Sequence, residues 1–310
     1  MNPSPAHTPP LFLGCLITNC GIEYAVPELH LCVINSPQKQ KLNIMKKTNL
    51  VLAVAALACS FIACKKENDN TYTEPTVNAV VFAAAGDSAG IATKLAEFRN
   101  QLGATLNTAP GAVGGRREIN WDAVPPSFTN NNSFPHNFFN NPDPALANGR
   151  KRGFVIENTS VPFRVDSTSF ADIASSYAAQ FRNFSPKRLF MSMSGNETIG
   201  IFQVPGATTP AFVKGFGVIF CDVDGDNSAS IEFFNGTKSL GVYKAPKSAQ
   251  NTFGFSLLGV YFPDEKVTKV KIISGQNTLG SSILDVTTAG GAQDIVVMDD
   301  FLYDEPKAQN

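Results

Sequence analysis

The chain has 310 residues, with 25 Lys and Arg against 26 Asp and Glu, a balance that implies neither nucleic acid nor an anionic membrane surface as a partner. Its length allows a sizeable core. Of its six cysteines only Cys64 and Cys221 lie beyond residue 63, so no disulfide framework is expected.

Residues 45–64 read as a bacterial lipoprotein signal peptide. Met45, Lys46 and Lys47 make a short basic start, and residues 50–58 an apolar run too short to span a bilayer. Phe61, Ile62, Ala63 and Cys64 then form a lipobox, where a signal peptidase cuts before a lipid-modified cysteine. A buried core helix or a plain secretory signal would not need this order of basic flank, short apolar core, small residue, Cys and polar tether. Lipid at Cys64 would anchor the chain to the membrane without spanning it, and stable anchoring needs more than one acyl chain. The expected location is the cell envelope, facing the periplasm or the exterior. Residues 1–44 precede a complete signal and are expected to be a start assigned too far upstream, or disordered. An extra targeting or metal-binding segment is the alternative, weakened by the absence of any Cys-x-x-Cys pair. The expected organisation is then 45–63 signal, 64–80 linker, 81–304 a single domain and 305–310 a tail.

The clearest helix is predicted over 87–102. Asp87 can cap it, Ile91, Leu95, Phe98 and Leu102 share one face, and Gly103 follows its end. Residues 127–142 are rich in Asn and Pro and predict loop. A second, shorter helix is predicted over 170–181, with Ser169 and Asp172 as a capping-box-like start and Ile173, Tyr177 and Phe181 on one face. From about residue 188 short strands alternate with turn signals, at 189–193, 198–204, 212–221, 230–234, 239–243, 253–262, 267–274 and 294–303. Such a series argues a mainly β fold, an antiparallel β-sandwich with one or two flanking helices. Asn235 and Gly236 signal a hairpin, with a loop longer than two residues.

Four blocks occur in order: 114–125, 184–190, 213–224 and 294–303. Together they resemble uncharacterised exported bacterial proteins and, more loosely, the jelly-roll-like domains of PEP-CTERM-type secreted proteins. The shared features are an opening block ending in Trp121, Asp122 and Pro125, a central Gly215-Phe216-Gly217 strand and a closing Asp299-Asp300-Phe301 strand. The resemblance implies a jelly-roll-like sandwich over roughly 90–304 and carries no activity with it. This chain departs from the pattern in having a lipobox and no C-terminal sorting tail.

Two groups of carboxylates could hold calcium, a hard cation that takes several oxygen ligands. Asp222, Asp224 and Asp226 stand at alternate positions, but the loop lacks the glycine and glutamate positions of an EF-hand and equally reads as a solvated turn. By similarity to jelly-roll domains, Asp299 or Asp300 would bind a structural calcium with Glu118 or Asp122 of the opening block. The plain alternative is an aspartate accepting backbone N–H bonds at a strand end. His136 is the only histidine after Cys64 and lies in the Asn/Pro loop, where it reads as a loop residue and no triad member. Cys221 reads as a small buried hydrophobe and Trp121 as a core residue.

No nucleophile motif, cofactor fingerprint or phosphate loop is present in the sequence. The favoured expectation is a non-catalytic extracytoplasmic binding module, for glycan or another extracellular polymer, stabilised by calcium. The alternatives are a carboxylate-dependent hydrolase of extracellular polymers and a structural envelope protein without a small ligand.

Overall fold

The computed structural model describes residues 77–248 and 254–309, so the signal peptide and Cys64 lie outside the described residues. The elements are β1 (Val80–Gly86), α1 (Ser88–Leu102), β2 (Arg116–Ile119), β3 (Phe154–Ile156), β4 (Phe163–Asp166), β5 (Leu189–Ser192), β6 (Glu197–Phe202), β7 (Ala211–Phe212), β8 (Gly215–Cys221), β9 (Ser230–Asn235), β10 (Lys238–Lys244), β11 (Phe255–Tyr261), β12 (Lys269–Ile273), β13 (Val297–Asp304) and β14 (Lys307–Ala308). One sheet has the order β1-β11-β8-β13-β5-β4, with β2 also paired to β13. The other runs β10-β9-β12-β6-β3, and β14 pairs with β7. The paired strands are antiparallel, and the whole is a β-sandwich with a helix on its outer face.

The strand sequences explain the layering. In β6, β9 and β12 buried residues alternate with half-exposed ones, as expected of a sheet with one wet face. β8 and β13 are buried along their whole length, so both faces of their sheet are covered. One face packs Phe216, Val218, Phe301 and Tyr303 against Phe202, Ile231, Phe233 and Val270 of the second sheet. The other packs Ile219, Leu257 and Leu302 under α1.

Helix α1 forms as its sequence dictates. Asp87 Oδ1 accepts from the Gly90 N–H at 2.7 Å, and Ile91, Leu95, Phe98 and Leu102 are its buried face. The Phe98 ring lies over Gly217 and Gly259, which pair across β8 and β11. A Cβ built on either glycine would come within 2.6–2.7 Å of that ring.

β13 carries one irregularity. Met298 pairs with Phe220 but Phe301 with Val218, so the strand has one residue more than its neighbour. Met298 and Phe301 therefore face the same core although they are three apart. Asp299 and Asp300 occupy the bulge. On the other edge of β13, the partner changes there from β5 at Met298 to β2 at Phe301.

Several elements differ from the sequence expectation. Residues 170–181 form turns and a short 3-10 helix, Ser175–Ala179, because Ser169 and Phe170 take positive φ and Asp172 binds Arg164 instead of capping. The hairpin turn has two residues, Gly236 and Thr237, since Asn235 pairs with Lys238 and Gly236 supplies φ 60°. Residues 305–308 are tied to the domain. Glu305 is buried against Arg117, with oxygens 2.7 Å from two guanidinium nitrogens, and Lys307 and Ala308 make β14. No strand is predicted over 80–86, where the structure has β1.

Candidate metal centre

Residues 222–224 leave the end of β8. Asp222 has φ 70°, a left-handed turn that takes the chain out of the strand, and its N–H donates to the Gly254 carbonyl at 3.0 Å. Asp285 and Asp294 come from the long connection between β12 and β13. Thr287 N–H and Oγ1 donate to Asp285 Oδ1 at 2.8 and 2.6 Å, and Ile295 N–H to its Oδ2 at 2.9 Å. Asp294 Oδ2 accepts from the N–H groups of Asp224 (3.0 Å) and Gly225 (2.7 Å) and from the Ser228 hydroxyl.

These bonds bring Asp222, Asp224 and Asp285 together. All three are buried, and each offers a carboxylate oxygen within 4.8 Å of the others. Asp222 Oδ2, both oxygens of Asp224 and Asp294 Oδ1 are buried without a hydrogen-bond partner among the described residues. The Gln180 amide lies beside Asp222. Burial, then the charge of Asp224, pushes the pKa of Asp222 up to about 8. Burial, then Asp285 and Asp294, pushes that of Asp224 up to about 6. Burial also raises Asp294. Oxygen atoms that are dry, convergent and mutually repelling are the donor set of a hard cation. The buried three-aspartate cluster could hold a metal ion.

Asp226 is not part of it. Past Gly225 its side chain is exposed and pairs with Lys247 at 3.2 Å. Asp285, which sequence reasoning missed, stands far from Asp222 in the chain, and only the fold joins them. Its one local signal is the Asp285-x-Thr287 turn.

The second predicted group is held differently. Glu118 is taken by two arginines, accepting from Arg99 at 2.7 and 2.9 Å and from Arg116 at 2.6 Å. Burial raises its pKa, but the two guanidiniums outweigh that and hold it below the ordinary carboxylate value. Asp122 Oδ1 accepts from the Lys187 N–H at 3.0 Å. Asp299 Oδ2 accepts from the N–H groups of Phe184 (2.6 Å) and Ser185 (3.2 Å), the backbone-bonding role named as the plain alternative. Asp299 and Asp300 are buried in contact, and burial followed by their mutual interaction raises Asp299 strongly. None of the four belongs to the three-aspartate cluster.

Trp121 is a core residue, stacked on Phe190 at 4.1 Å, and its Nε1 donates to the Asp299 carbonyl at 2.5 Å, one the bulge turns away from its neighbour strand. Cys221 is fully buried, burial raises its thiol pKa, and its Sγ accepts from the Arg182 N–H at 3.3 Å. His136 is half-buried, edge-on to Phe163.

Fold and cluster define an antiparallel β-sandwich, flanked by one helix, with a buried aspartate centre suited to a metal ion. Comparison with known proteins finds no matching family model, no similar curated protein and no similar solved structure.

Proposed function

We propose that this protein is a lipid-anchored, non-catalytic binding module of the cell envelope, for glycan or another extracellular polymer, whose sandwich is stabilised by calcium at Asp222, Asp224 and Asp285. The observation that carries the calcium reading is the convergence of three buried carboxylates with unpartnered oxygens. Oxygen-only donors favour Ca²⁺ over softer metals, which prefer nitrogen or sulfur. The lipobox ending at Cys64 supports the anchor. The burial of Asp299 and Asp300, at 0% and 2% exposure, keeps these two carboxylates away from a polymer substrate.

The test uses the full chain purified with chelator. Calcium at a hundredfold over its Kd adds about 2.7 kcal/mol by mass action, which in a domain of this size raises Tm by roughly 5–10 °C. No shift with calcium rejects the metal reading. Acyl labelling that persists in Cys64→Ala rejects the anchor. A glycan array run with calcium and with chelator tests the ligand class, and turnover of a polymer on that array would favour the hydrolase.

A further inference from the structure

The connection between β12 and β13 crosses from one sheet to the other without a regular strand. It is attached to the sandwich at two kinds of point. Tyr177 holds one limb: its hydroxyl lies 3.0 Å from the Gly280 carbonyl and 2.8 Å from that of Ile283. Asp285 and Asp294 hold the other side by pointing at residues 222–225. The two limbs of this connection, residues 282–284 and 290–293, also line a cavity of about 390 Å³.

The donor set around the three aspartates comes from three separate segments. Asp222 and Asp224 follow β8, Asp285 and Asp294 lie on the connection, and Gln180 closes the 3-10 helix that carries Tyr177. Asp294 and Gln180 are buried, at 2% and 8% exposure, and Asp294 Oδ1 and both Gln180 amide atoms have no hydrogen-bond partner among the described residues. Unpartnered polar atoms at that depth carry a desolvation cost that a ligand would remove. Close approach on the connection is already at its limit. A Cβ on Gly291 would stand 1.7 Å from the Asp285 carbonyl oxygen, and one on Gly275 2.7 Å from that of Asp294.

We propose that the Gln180 carbonyl oxygen adds to the three-aspartate shell of the cation, with Asp294 bracing the site through the Asp224 and Gly225 N–H groups, and that the ion clamps the 275–296 connection to the 222–225 turn and the 175–181 segment. This rests on the calcium reading above and extends it: the ion becomes the fastening of one loop. Without the ion, mutually repelling carboxylates on two separate segments push the connection off the sandwich, while the β9–β10 hairpin, which shares no donor with the site, is unaffected.

Hydrogen exchange on the full chain tests this, with calcium and with chelator, alongside a calcium titration followed by melting temperature. Peptides covering 276–293 and 175–182 are expected to exchange at least about tenfold faster in chelator, with those of 230–244 unchanged. Gln180→Leu, which leaves every carboxylate in place, should weaken calcium binding by at least about tenfold. Calcium binding with identical exchange of 276–293 in both conditions overturns the clamp and leaves the calcium reading standing. Unchanged calcium affinity in Gln180→Leu removes Gln180 from the shell and overturns the proposed donor set. No calcium binding overturns both readings.

Discussion

Gly217 on β8 stands directly opposite Gly259 on β11, and the Phe98 ring of α1 fills the space their missing side chains leave. The helix therefore meets the sheet at a slot cut to one aromatic ring. Gly259→Ala should drive a methyl into that ring and destabilise the domain by about 1–3 kcal/mol, the usual cost of overpacking. Pairing it with Phe98→Leu should recover part of the loss. Urea unfolding of the two variants measures both effects, and equal stability of Gly259→Ala and the parent would remove the slot.

Arg117 and Glu305 form a buried bidentate pair, at 0% and 2% side-chain exposure. Glu305→Gln leaves a buried guanidinium without its counter-charge and should cost about 3–5 kcal/mol. The double change Arg117→Met with Glu305→Leu should be far less damaging, because neither charge remains to be compensated. Thermal unfolding of the single and double variants distinguishes these outcomes.

Asp224 has both carboxylate oxygens buried and unpartnered, so its charge is a burden in chelator and a ligand in calcium. Asp224→Asn should melt higher than the parent in chelator and lose most of the calcium-induced rise in Tm. Scanning calorimetry in the two buffers checks both signs. A variant that keeps the full calcium shift would exclude Asp224 from the site.

The metal-free protein should lose stability as pH rises. Burial and neighbouring carboxylates raise Asp222 to about 8 and Asp224 to about 6, and burial raises Asp304 to about 6, against an ordinary value of 3.8. Each group holds its proton in the folded state after the unfolded chain has released it. The stability it contributes is complete below 3.8 and disappears as pH climbs through 6 and then 8. Glu118 acts in the opposite sense: its lowered pKa contributes stability above 4.5 that is lost on acidification. Denaturant midpoints in chelator should be higher near pH 5 than near pH 8.5, and calcium should narrow the gap. A midpoint that rises steadily over that range would contradict these buried, protonated aspartates.

The back half of the fold was legible because its strands obey simple rules. β9 and β12 alternate, β8 is an apolar run, and each lies between turn residues. The front was not, because β2, β3 and β4 are three or four residues long, too short for a period to show. β1, Val-Val-Phe-Ala-Ala-Ala-Gly, lacks alternation and sits against the helix start, so no strand is predicted there. The Asp222-x-Asp224 spacing pointed to two of the three aspartates of the metal centre. Asp226 shares that spacing, but the turn at Gly225 sends it to solvent, and Asp285 is supplied by a distant segment that no local pattern connects to it. The pair Asp299 and Asp300 was found as a feature, while its bulge geometry was hidden, since only register reveals an extra residue.

The pairing of β13 has a consequence for how the chain is made. Among the described residues this strand follows every other long strand in the chain, yet it occupies an interior position of its sheet, flanked by β8 on one edge and by β5 and β2 on the other. Any fragment ending before residue 297 leaves β8 with an open edge and deprives β2 of its strand partner. Closure of the first sheet thus waits on residues 297–304, and such long-range closure makes for slow folding. Arrival of β13 beside β8, and not growth of a core from the earlier strands alone, is what commits the first sheet to its final order.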